Sequence, residues 1–406
     1  MYDLITSNLL YTGNGDNMGY KELYDIALNK INNEHIKSIH GIKEPMIMIS
    51  NAYPGVWLEH VYDSIIYGDL FNDYSLAINT INIFTDLQND KGAYPCFIKD
   101  LEGAGYSQIQ ECVSFISLGL YVYKKILDKE FLINLYLSGK KYIDFIYKYR
   151  MTRGLGLPEV FVGYDTGHDN SARLDNYKYQ GCYRINGERI NSDVLPDKAY
   201  ITVDMSANLY GNLNSMAKIA EILNLNKDMN KYLEMAKEVK EGIFKYLYDD
   251  KTDYFYDLNY DNTFIYVKSS SIFHLFLEHI LTDKEMINNI YHKYLMNENE
   301  FNSKYPIPAV SLSDKSRISH KMPNSWGYYS QALIALRCNL WMDDYGFSEE
   351  YDHILSKWAE GFLNNFNDNP FPQELDPEDG ISSGASVWYS SALLLYMLAY
   401  RRLNLK

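Results

Sequence analysis

The chain has 406 residues and a formal net charge of −15 at pH 7. A surface this acidic repels phosphate backbones, and the basic residues form only short pairs such as Lys124-Lys125, so nucleic-acid binding is not expected. No apolar stretch reaches the roughly 20 residues that span a membrane, and the first residues lack the pattern of a signal peptide. We therefore expect a cytoplasmic protein that binds neither nucleic acid nor membranes.

The aromatic content is high, with 39 Tyr, 17 Phe and 5 Trp. An AT-rich genome would raise Tyr together with Asn, Lys and Ile. A carbohydrate site would also favour aromatic residues, because their faces stack on sugar C–H groups and Tyr hydroxyls bond to sugar hydroxyls. Both explanations are compatible with this composition.

The metal-binding residue types do not form a recognisable site. The cysteines are Cys96, Cys112, Cys182 and Cys338, which are too far apart for a metal knuckle and are predicted to be free thiols. The histidines show no H-x-x-x-H spacing. We predict no metal and no cofactor.

Apolar periodicity near 3.6 residues predicts a chain made mostly of helices. The predicted helices are Tyr20–Asn33, Ser75–Gln88, Gln110–Leu127, Glu130–Tyr149, Ser206–Leu223, Lys227–Tyr246, Ser269–Ile280, Asp283–Leu295, Trp326–Leu340, Glu349–Asn364 and Gly384–Leu403. Two β-like pieces, Tyr254–Leu258 and Thr263–Val267, suggest a hairpin within a loop. The fold class is therefore predicted to be all-α.

The links between helices predict how these helices are arranged. Long links recur about once per helix pair, and they hold most of the Gly and Pro. They are Pro45–Val56, Asp90–Gln108, Arg150–Val203, Asp249–Lys268, Asn299–Pro323 and Asn367–Gly384. Long links in a compact fold are usually functional. We predict one domain over residues 1–406, a ring of helical hairpins whose long loops build a site on one rim.

The most distinctive loop segment is Gly163–Arg173, which holds two acids, an amide, an imidazole and an arginine. A turn explains this composition about as well as a site does, because Gly, Asp, Asn and Ser are common turn formers. A second segment, Pro372–Gly380, is acidic and leads into Ser386–Ser390. Taken alone, it reads as an acidic loop before a helix N-terminus.

Together the two segments suggest a pair of carboxyl groups. Hydrolysis of a glycoside with inversion needs one carboxyl group that protonates the leaving oxygen and another that activates water, roughly 6.5–9.5 Å apart. The two groups need not be close in sequence, because a ring of hairpins can bring distant loops to one rim.

Asp165–Arg173 resembles the D/E-S/T-G-M-D-N-S-P-R stretch of the inverting glycoside hydrolases of family 63, a group that includes mannosylglycerate hydrolase and the catalytic domain of processing α-glucosidase. Weaker likeness extends over most of the chain, through Leu155–Leu157, Asp128–Phe145, Asn208–Leu223 and Tyr53–Trp57. The resemblance implies an (α/α)6 barrel, the six-hairpin glycosidase fold. It also implies an inverting, exo-acting hydrolase of an α-linked glucoside or mannoside, with a small carbohydrate as substrate.

Carried over by position, Asp169 is the general acid. His168 stands where the group has Met, and Ala172 where it has Pro. The group's general base lies four residues before the Pro of E-x-Y-x-P-x-T-G, which falls on Gln373 here. Gln cannot act as a base, so we predict that Glu374, one residue later, takes this role through a shortened loop. Asp376 and Glu378 are the next candidates.

The remaining expected site residues bind substrate. The pocket acid of the early segment is Glu59 or Asp63, and Asp165 is expected to favour the oxocarbenium-like state. Arg173 binds a substrate hydroxyl or carboxylate, or pairs with a loop acid. The other predicted contacts are Trp57, Tyr164, Asn170, Trp326, Gln373 and Trp388. Trp341 and Trp358 are expected to be purely structural.

Three alternatives compete with hydrolysis. A catalytically degenerate sugar-binding protein on the same scaffold is suggested by Gln373. An (α/α)-barrel isomerase or epimerase would need a His-rich centre, and the histidines do not cluster around Asp169 in sequence. A helical protein-binding scaffold is disfavoured because no repeat is present.

Overall fold

The computed structural model describes residues 18–99, 104–106, 114–161, 163–174 and 199–405. Helices dominate these ranges. They are α1 (Tyr20–Lys30), α2 (Val61–Phe71), α3 (Ser75–Asp86), α4 (Phe115–Ile126), α5 (Lys129–Tyr149), α6 (Val203–Ile222), α7 (Asn226–Tyr246), α8 (Phe273–Leu277), α9 (Lys284–Ile290), α10 (Ala332–Arg337), α11 (Ser348–Asn365) and α12 (Ser390–Arg402).

The even-numbered helices form an inner ring, and the odd-numbered helices pack around it. Helix α2 contacts α4, α4 contacts α6, α6 contacts α8, and α10 contacts α12. Helix α12 also packs against α2, which closes the ring. Every residue of α8 and α10 is buried, whereas α9 and α1 bury only a few. The architecture is an (α/α)6 barrel, which confirms the predicted fold class.

The outer helices show the periodic pattern that the sequence reveals. Helix α7 buries Tyr232, Ala236, Val239, Gly242 and Ile243, a single stripe at helical spacing. Caps help to fix the helix starts. Asp128 accepts hydrogen bonds from the backbone N–H groups of Glu130 (2.8 Å) and Phe131 (3.2 Å) at the N-terminus of α5.

All the long connections run from an outer helix to the next inner helix, so they collect at the N-terminal rim of the inner ring. The opposite links are short, such as residues 72–74 between α2 and α3. Short strands join neighbouring rim connections. These are β1 (Ile36–Lys37), β2 (Met46–Ile47), β3 (Val56–Trp57), β4 (Phe97–Ile98), β5 (Ala104–Gly105), β6 (Glu159–Val160), β7 (Tyr200–Ile201), β8 (Tyr248–Asp249), β9 (Tyr254–Phe255), β10 (Asp257–Leu258), β11 (Phe264–Ile265), β12 (Ser330–Gln331) and β13 (Glu374–Leu375).

The sheets tie together the loops that carry the two predicted carboxyl groups and their neighbours. Strand β3 pairs with β4, and β4 pairs with β5. A four-stranded sheet runs in the order β11-β10-β7-β6, and it includes the predicted hairpin as β10 and β11. Strand β12 pairs with β13, with Gln331 opposite Glu374.

The structure differs from the predicted elements at several points, one of which is the last predicted helix, Gly384–Leu403, which begins only at Ser390 in α12. Helix α2 was not predicted, because it is buried on nearly all sides and shows little periodicity. The segment predicted to be helical from Trp326 begins only at Ala332 in α10, since Ser330–Gln331 forms a strand. The predicted helix Gln110–Leu127 appears as α4 from Phe115, and its residues 110–113 lie outside the described residues.

Several side-chain predictions can be checked directly. Cys338 is a buried free thiol, as predicted, and Cys96 is also buried, whereas Cys112 and Cys182 lie outside the described residues. Trp341 and Trp358 are fully buried in the core, which confirms their structural role. Among the described residues, no helix is both long enough and apolar enough to cross a membrane.

Candidate active site

A cavity opens at the N-terminal rim of the inner ring, where the long connections meet. It contains about 360 Å³ of space not filled by protein atoms, part of it open to solvent. Its lining comes from four separate stretches of sequence and consists of Ile49, Tyr53, Trp57, Glu59, His60, Gly167, Asp169, Asn324, Trp326, Gln373 and Tyr389.

Asp169 reaches this cavity from the loop between β6 and the next described strand. The loop turns at Gly167 (φ 73°) and Asn170 (φ 55°), backbone conformations that suit Gly and Asn. The backbone N–H of Trp326 donates to the backbone oxygen of Asp169 (2.9 Å), and Asn324 Nδ2 donates to its Oδ2 (2.9 Å). Burial raises the pKa of Asp169 to about 6, and the bond from Asn324 opposes this rise.

Two sets of buried ion pairs hold this loop in place. Asp165 pairs with Arg150 (2.7 Å) and accepts the backbone N–H of Phe161 (2.7 Å). Arg173 pairs with Asp204 and with Asp257 (3.0 Å). For Arg173, the loop-acid alternative of the sequence analysis therefore holds.

Direct substrate contact by Asp165 or Arg173 is not supported, because both side chains face buried partners outside the cavity lining. Removing either one would leave an uncompensated charge in the interior, which is costly. Both residues thus fix the backbone that carries Asp169.

Glu374 lies on β13 and directly follows Gln373, which lines the cavity. Glu374 itself is buried, with 1% of its surface exposed. Its Oε1 accepts hydrogen bonds from the backbone N–H of Asn324 (2.8 Å) and from Ser383 Oγ. Its Oε2 accepts from the backbone N–H of Ser325 (3.1 Å) and from Gln331 Nε2 (2.7 Å). Burial raises the pKa of Glu374, and these four bonds oppose the rise.

Asn324 connects the two predicted catalytic carboxyl groups. Its side-chain amide donates to Asp169, and its backbone N–H donates to Glu374. The two carboxyl groups are therefore separated by one residue and two hydrogen bonds. This arrangement is compatible with the roughly 6.5–9.5 Å between carboxyl groups that inversion requires. The sequence did not identify Asn324 as a site residue, because its partners Asp169 and Glu374 are distant along the chain.

Gln373 lies in the cavity wall, where the family 63 resemblance expects a carboxylate. Its Nε2 donates to Asn324 Oδ1 (3.1 Å), and its buried Oε1 has no hydrogen-bond partner among the described residues. Glu59 lines the same cavity with a side chain that is 12% exposed. Of the two pocket acids proposed from the sequence, Glu59 is therefore the one that faces the cavity.

His60 was not identified from the sequence, although it follows Glu59 directly. Its Nδ1 lies 3.5 Å from Glu59 Oε1, and its Nε2 lies 2.5 Å from the Tyr389 hydroxyl. Burial lowers the pKa of His60 well below its ordinary value, so the ring is neutral. A neutral His beside a carboxylate can bond a sugar hydroxyl as donor or acceptor.

Aromatic side chains form two walls of the cavity. Trp57 stacks on Phe97 at 5.4 Å, and Trp326 stacks on His168 at 4.3 Å. Between these walls, Tyr53 has its pKa raised to about 12, first by burial and then by the charges of Asp169, Glu59 and Glu374. One phenol thus lies within electrostatic reach of all three carboxyl groups.

The other predicted site residues lie outside the cavity lining. Asp63 is buried and accepts hydrogen bonds from Ser390 (2.5 Å) and Ser391 (2.9 Å). Trp388 packs against Phe371 and under the ammonium group of Lys30. Tyr164 and the exposed Asn170 also lie outside the lining, and Asn170 Nδ2 donates to the backbone oxygen of Asn324 (2.9 Å).

The two fallback acids also face away from the cavity. Asp376 pairs with Lys321 (2.7 Å) and accepts from the Tyr328 hydroxyl (3.2 Å). Glu378 pairs with Arg317 (3.3 Å). The part of the chain that the structure describes contains no group of three His, Cys, Asp or Glu residues that could hold a metal ion.

Comparison with known proteins gives a family and a fold. Residues 53–316 match the family described as mannosylglycerate hydrolase MGH1-like glycoside hydrolase domain. No curated protein sequence matches the chain significantly.

Solved structures of similar fold cover nearly the whole chain. The mannosylglycerate hydrolase of family 63 from Thermus thermophilus, in complex with glucose, has a TM-score of 0.71 and 14% identity over 92% of this chain and 99% of that chain. Its complex with Tris and D-glycerate has a TM-score of 0.68 and 16% identity, over 93% and 99%. Neutral trehalase Nth1 from Saccharomyces cerevisiae has a TM-score of 0.67 and 16% identity, over 88% and 73%. At these identities, the likeness shows the fold.

Proposed function

Because this chain belongs to the mannosylglycerate hydrolase MGH1-like glycoside hydrolase family, we propose that it cleaves a small α-linked glucoside or mannoside by an inverting, exo-acting mechanism. The observation that carries the proposal is Asp169, a carboxyl group with a raised pKa in the wall of a cavity that Trp57 and Trp326 also line. A single domain over residues 1–406 and a cytoplasmic location are parts of the same proposal.

Asp169 is the proposed general acid. With a pKa of about 6, its carboxyl group retains its proton in mildly acidic solution and can give it to the leaving oxygen. Trp57 and Trp326 provide faces on which a sugar ring can stack. The charge of Glu59 would favour the positive charge that develops at the anomeric carbon.

Glu374 is the proposed base that activates water. Its four hydrogen bonds use the acceptor sites of both oxygens, so one bond must open before it accepts a proton from water. Ser383 is the donor best able to move, because it is a rotatable hydroxyl on the loop between β13 and α12, whereas the other three donors are two backbone N–H groups and a buried side chain of β12. We propose that substrate binding turns the Ser383 hydroxyl away and admits the water.

Glu59 competes for the role of base, since it lines the cavity and Glu374 does not. Variants Glu374→Gln and Glu59→Gln separate the two. With a panel of α-glucosides, α-mannosides and mannosylglycerate, loss of kcat by about 10²–10⁴ identifies the base, because general base catalysis contributes about this factor. If Glu374→Gln keeps full activity while Glu59→Gln loses it, Glu59 is the base.

The substrate panel follows from the solved structures of similar fold. The Thermus thermophilus enzyme has been seen with glucose and with D-glycerate, and the yeast protein is a trehalase. Each of these supports a short glycoside with a small leaving group.

Gln373 favours a second candidate function, a sugar-binding protein that no longer hydrolyses. Its amide occupies the cavity wall where a base is expected, and its Oε1 is available to a ligand hydroxyl. Calorimetric titration with glucose and mannose, combined with the turnover assay, tests this alternative. Saturable binding without release of sugar from any glycoside would replace hydrolysis by binding.

A further inference from the structure

A second, smaller cavity lies inside the barrel below the active site. The cavity encloses about 320 Å³ of space between protein atoms. The volume that the centre of a water molecule can occupy is much smaller, about 20 Å³. That is room for one water or one monatomic ion, because a water needs about 10–15 Å³ on this measure. Three polar residues that line it, His168, Ser270 and Arg337, form the group that we call the core donor cluster.

Arg337 is the central member of the core donor cluster. It is 4% exposed, and its Nη2 donates to the backbone oxygen of Glu59 (2.8 Å). Its Nε and Nη1 have no hydrogen-bond partner, and no carboxylate among the described residues forms an ion pair with it. The charge of the buried Asp63 lies within electrostatic reach of Arg337, but burying two N–H groups of a guanidinium without hydrogen-bond partners is still costly.

His168 presents another donor. Its Nδ1 lies 3.0 Å from Arg173 Nη2, which can only donate, so Nδ1 must accept that bond. The ring is neutral, because burial lowers the pKa of His168 well below its ordinary value. The proton of the neutral ring therefore lies on Nε2, which is buried without an acceptor in the described part of the chain.

Ser270 adds a hydroxyl in the short helical turn before α8. It is 3% exposed, and its Oγ also has no hydrogen-bond partner among the described residues. The core donor cluster thus brings four unpaired donor atoms, two of them on a positively charged guanidinium group, to one small cavity. The remaining lining residues are Phe273, His274, Leu277, Ile334, Cys338 and Trp341.

We propose that this core cavity is a halide site, in which Arg337, Ser270 and His168 bind one chloride or bromide ion. The donor set matches an anion, and the small volume with its apolar walls excludes oxyanions such as phosphate. The inference does not depend on the proposed hydrolysis, since binding can be measured without a sugar.

A halide in the core cavity would hold the wall of the active site at two points. His168 is the chain neighbour of Asp169 and stacks on Trp326. Arg337 holds the backbone of Glu59. The ion is therefore expected to act as a positioning ligand that raises kcat without contacting the sugar.

The first test uses anomalous diffraction from crystals of the full chain soaked in sodium bromide. A bromide peak within hydrogen-bond distance of Arg337 and Ser270 is the expected result. Density that fits water, with no anomalous signal in the core cavity, would overturn the proposal.

The second test measures binding in solution. Melting curves are recorded at constant ionic strength while chloride or bromide replaces gluconate. We expect a saturable rise in Tm of about 2 °C, as for a ligand at about ten times its Kd. Replacing Ser270 by Ala should weaken halide binding about tenfold, since it removes one hydrogen bond to an ion.

Ser271→Ala is the matched control, because Ser271 is equally buried in the same turn but does not line the cavity. Its halide response should equal that of the wild type. Arg337→Gln should abolish the rise in Tm with halide. If this variant does not fold, the comparison of Ser270→Ala with Ser271→Ala still tests the halide site. No saturable effect of halide on Tm, or equal responses from the two serine variants, would contradict the halide site.

Discussion

Asp169 has the two properties that a glycosidase acid needs, a raised pKa and contact with a cavity. Burial supplies the first, and the turn at Gly167 and Asn170 supplies the second. Asp63 has a pKa raised equally, to about 6, but its carboxylate is bonded to serines of α12 outside the cavity. A raised pKa alone therefore does not identify the acid.

This contrast gives the first prediction. Asp169→Asn should lower kcat by about 10²–10⁴ with little change in KM, because an amide cannot donate the catalytic proton. Asp63→Asn, the matched control, should keep most of its activity. Equal losses in the two variants, measured on the same glycoside, would remove the catalytic assignment of Asp169.

The second prediction concerns the pH dependence of kcat. Asp169 must be protonated, so kcat should fall as the pH rises through about 6. The base must be ionised, so kcat should also fall in acid, which gives a bell-shaped profile. The high-pH limb should be absent from the residual activity of Asp169→Asn. A profile that stays flat from pH 5 to pH 8 in the wild type would contradict the role of Asp169.

The third prediction concerns stability. The pKa of Asp169 is about 6 when folded and about 3.9 when unfolded, so the folded state binds more protons between these values. Its contribution to stability is complete below pH 4 and is lost as the pH rises through 6. In urea unfolding, the free energy of unfolding of Asp169→Asn relative to that of the wild type should therefore rise by about 2–3 kcal/mol from pH 4 to pH 8. A constant difference across this range would show that burial does not raise this pKa.

Sequence reasoning identified the residues of the cavity better than it identified their orientations. Asp169, Trp57, Glu59, Trp326 and Gln373 all line the cavity, as their motifs suggested. Asp165 and Arg173 belong to the same motif as Asp169 but face inward to Arg150, Asp204 and Asp257. Which side of a loop faces the ligand depends on such partners, which are distant in sequence and leave no local signal.

At the scale of the helices, a glycine allows neighbouring helices of the inner ring to approach closely. A Cβ on Gly211 of α6 would overlap Glu278 Oε2 and Ser114 Oγ. Glu278 and Ser114 are themselves hydrogen-bonded and buried, so neither can move without breaking that bond. Gly242 on outer helix α7 meets only the end of Leu157, at 3.1 Å.

The fourth prediction follows from this difference. Gly211→Ala should destabilise the protein by about 1–3 kcal/mol, the usual cost of overpacking. Gly242→Ala should be nearly neutral, because Ala favours the helix by about 0.5–1 kcal/mol and the leucine can shift. Chemical denaturation of both variants tests the comparison, and equal free energies of unfolding would show that the inner ring is not tightly packed at α6.

How well each helix could be predicted from the sequence depended on whether it lies in the inner or the outer ring. Outer helices such as α5 and α7 have one buried stripe, so their periodicity and bounds could be predicted to within a few residues. The inner helix α2 is buried on nearly all sides and could not be distinguished from a buried strand or loop. The strand Ser330–Gln331 forms only because Glu374 pairs across from it, which no local pattern encodes.

At the scale of the whole molecule, α12 closes the barrel. It packs against α1, α2, α10 and α11, so the end of the described chain completes the core begun by its first helices. Its Arg401 guanidinium donates to the Tyr24 hydroxyl of α1 (2.9 Å). We therefore expect that a substitution in α12 lowers the stability of the whole ring.

The fifth prediction uses Leu394, which is fully buried in α12. Leu394→Ala should lower the free energy of unfolding by about 2–5 kcal/mol, the range for a leucine cavity in a core. The loss should appear equally in far-UV circular dichroism and in tryptophan fluorescence, because the ring unfolds as one unit. Two separated transitions would show that the two halves of the barrel are stable independently.

The measurement that tests the account most directly is proton NMR of the first sugar released from an α-linked substrate. We predict that the β-anomer appears first and then equilibrates, and that Asp169→Asn releases almost none over the same time. Initial appearance of the α-anomer, or undiminished release by Asp169→Asn, would contradict an inverting hydrolase with Asp169 as its acid.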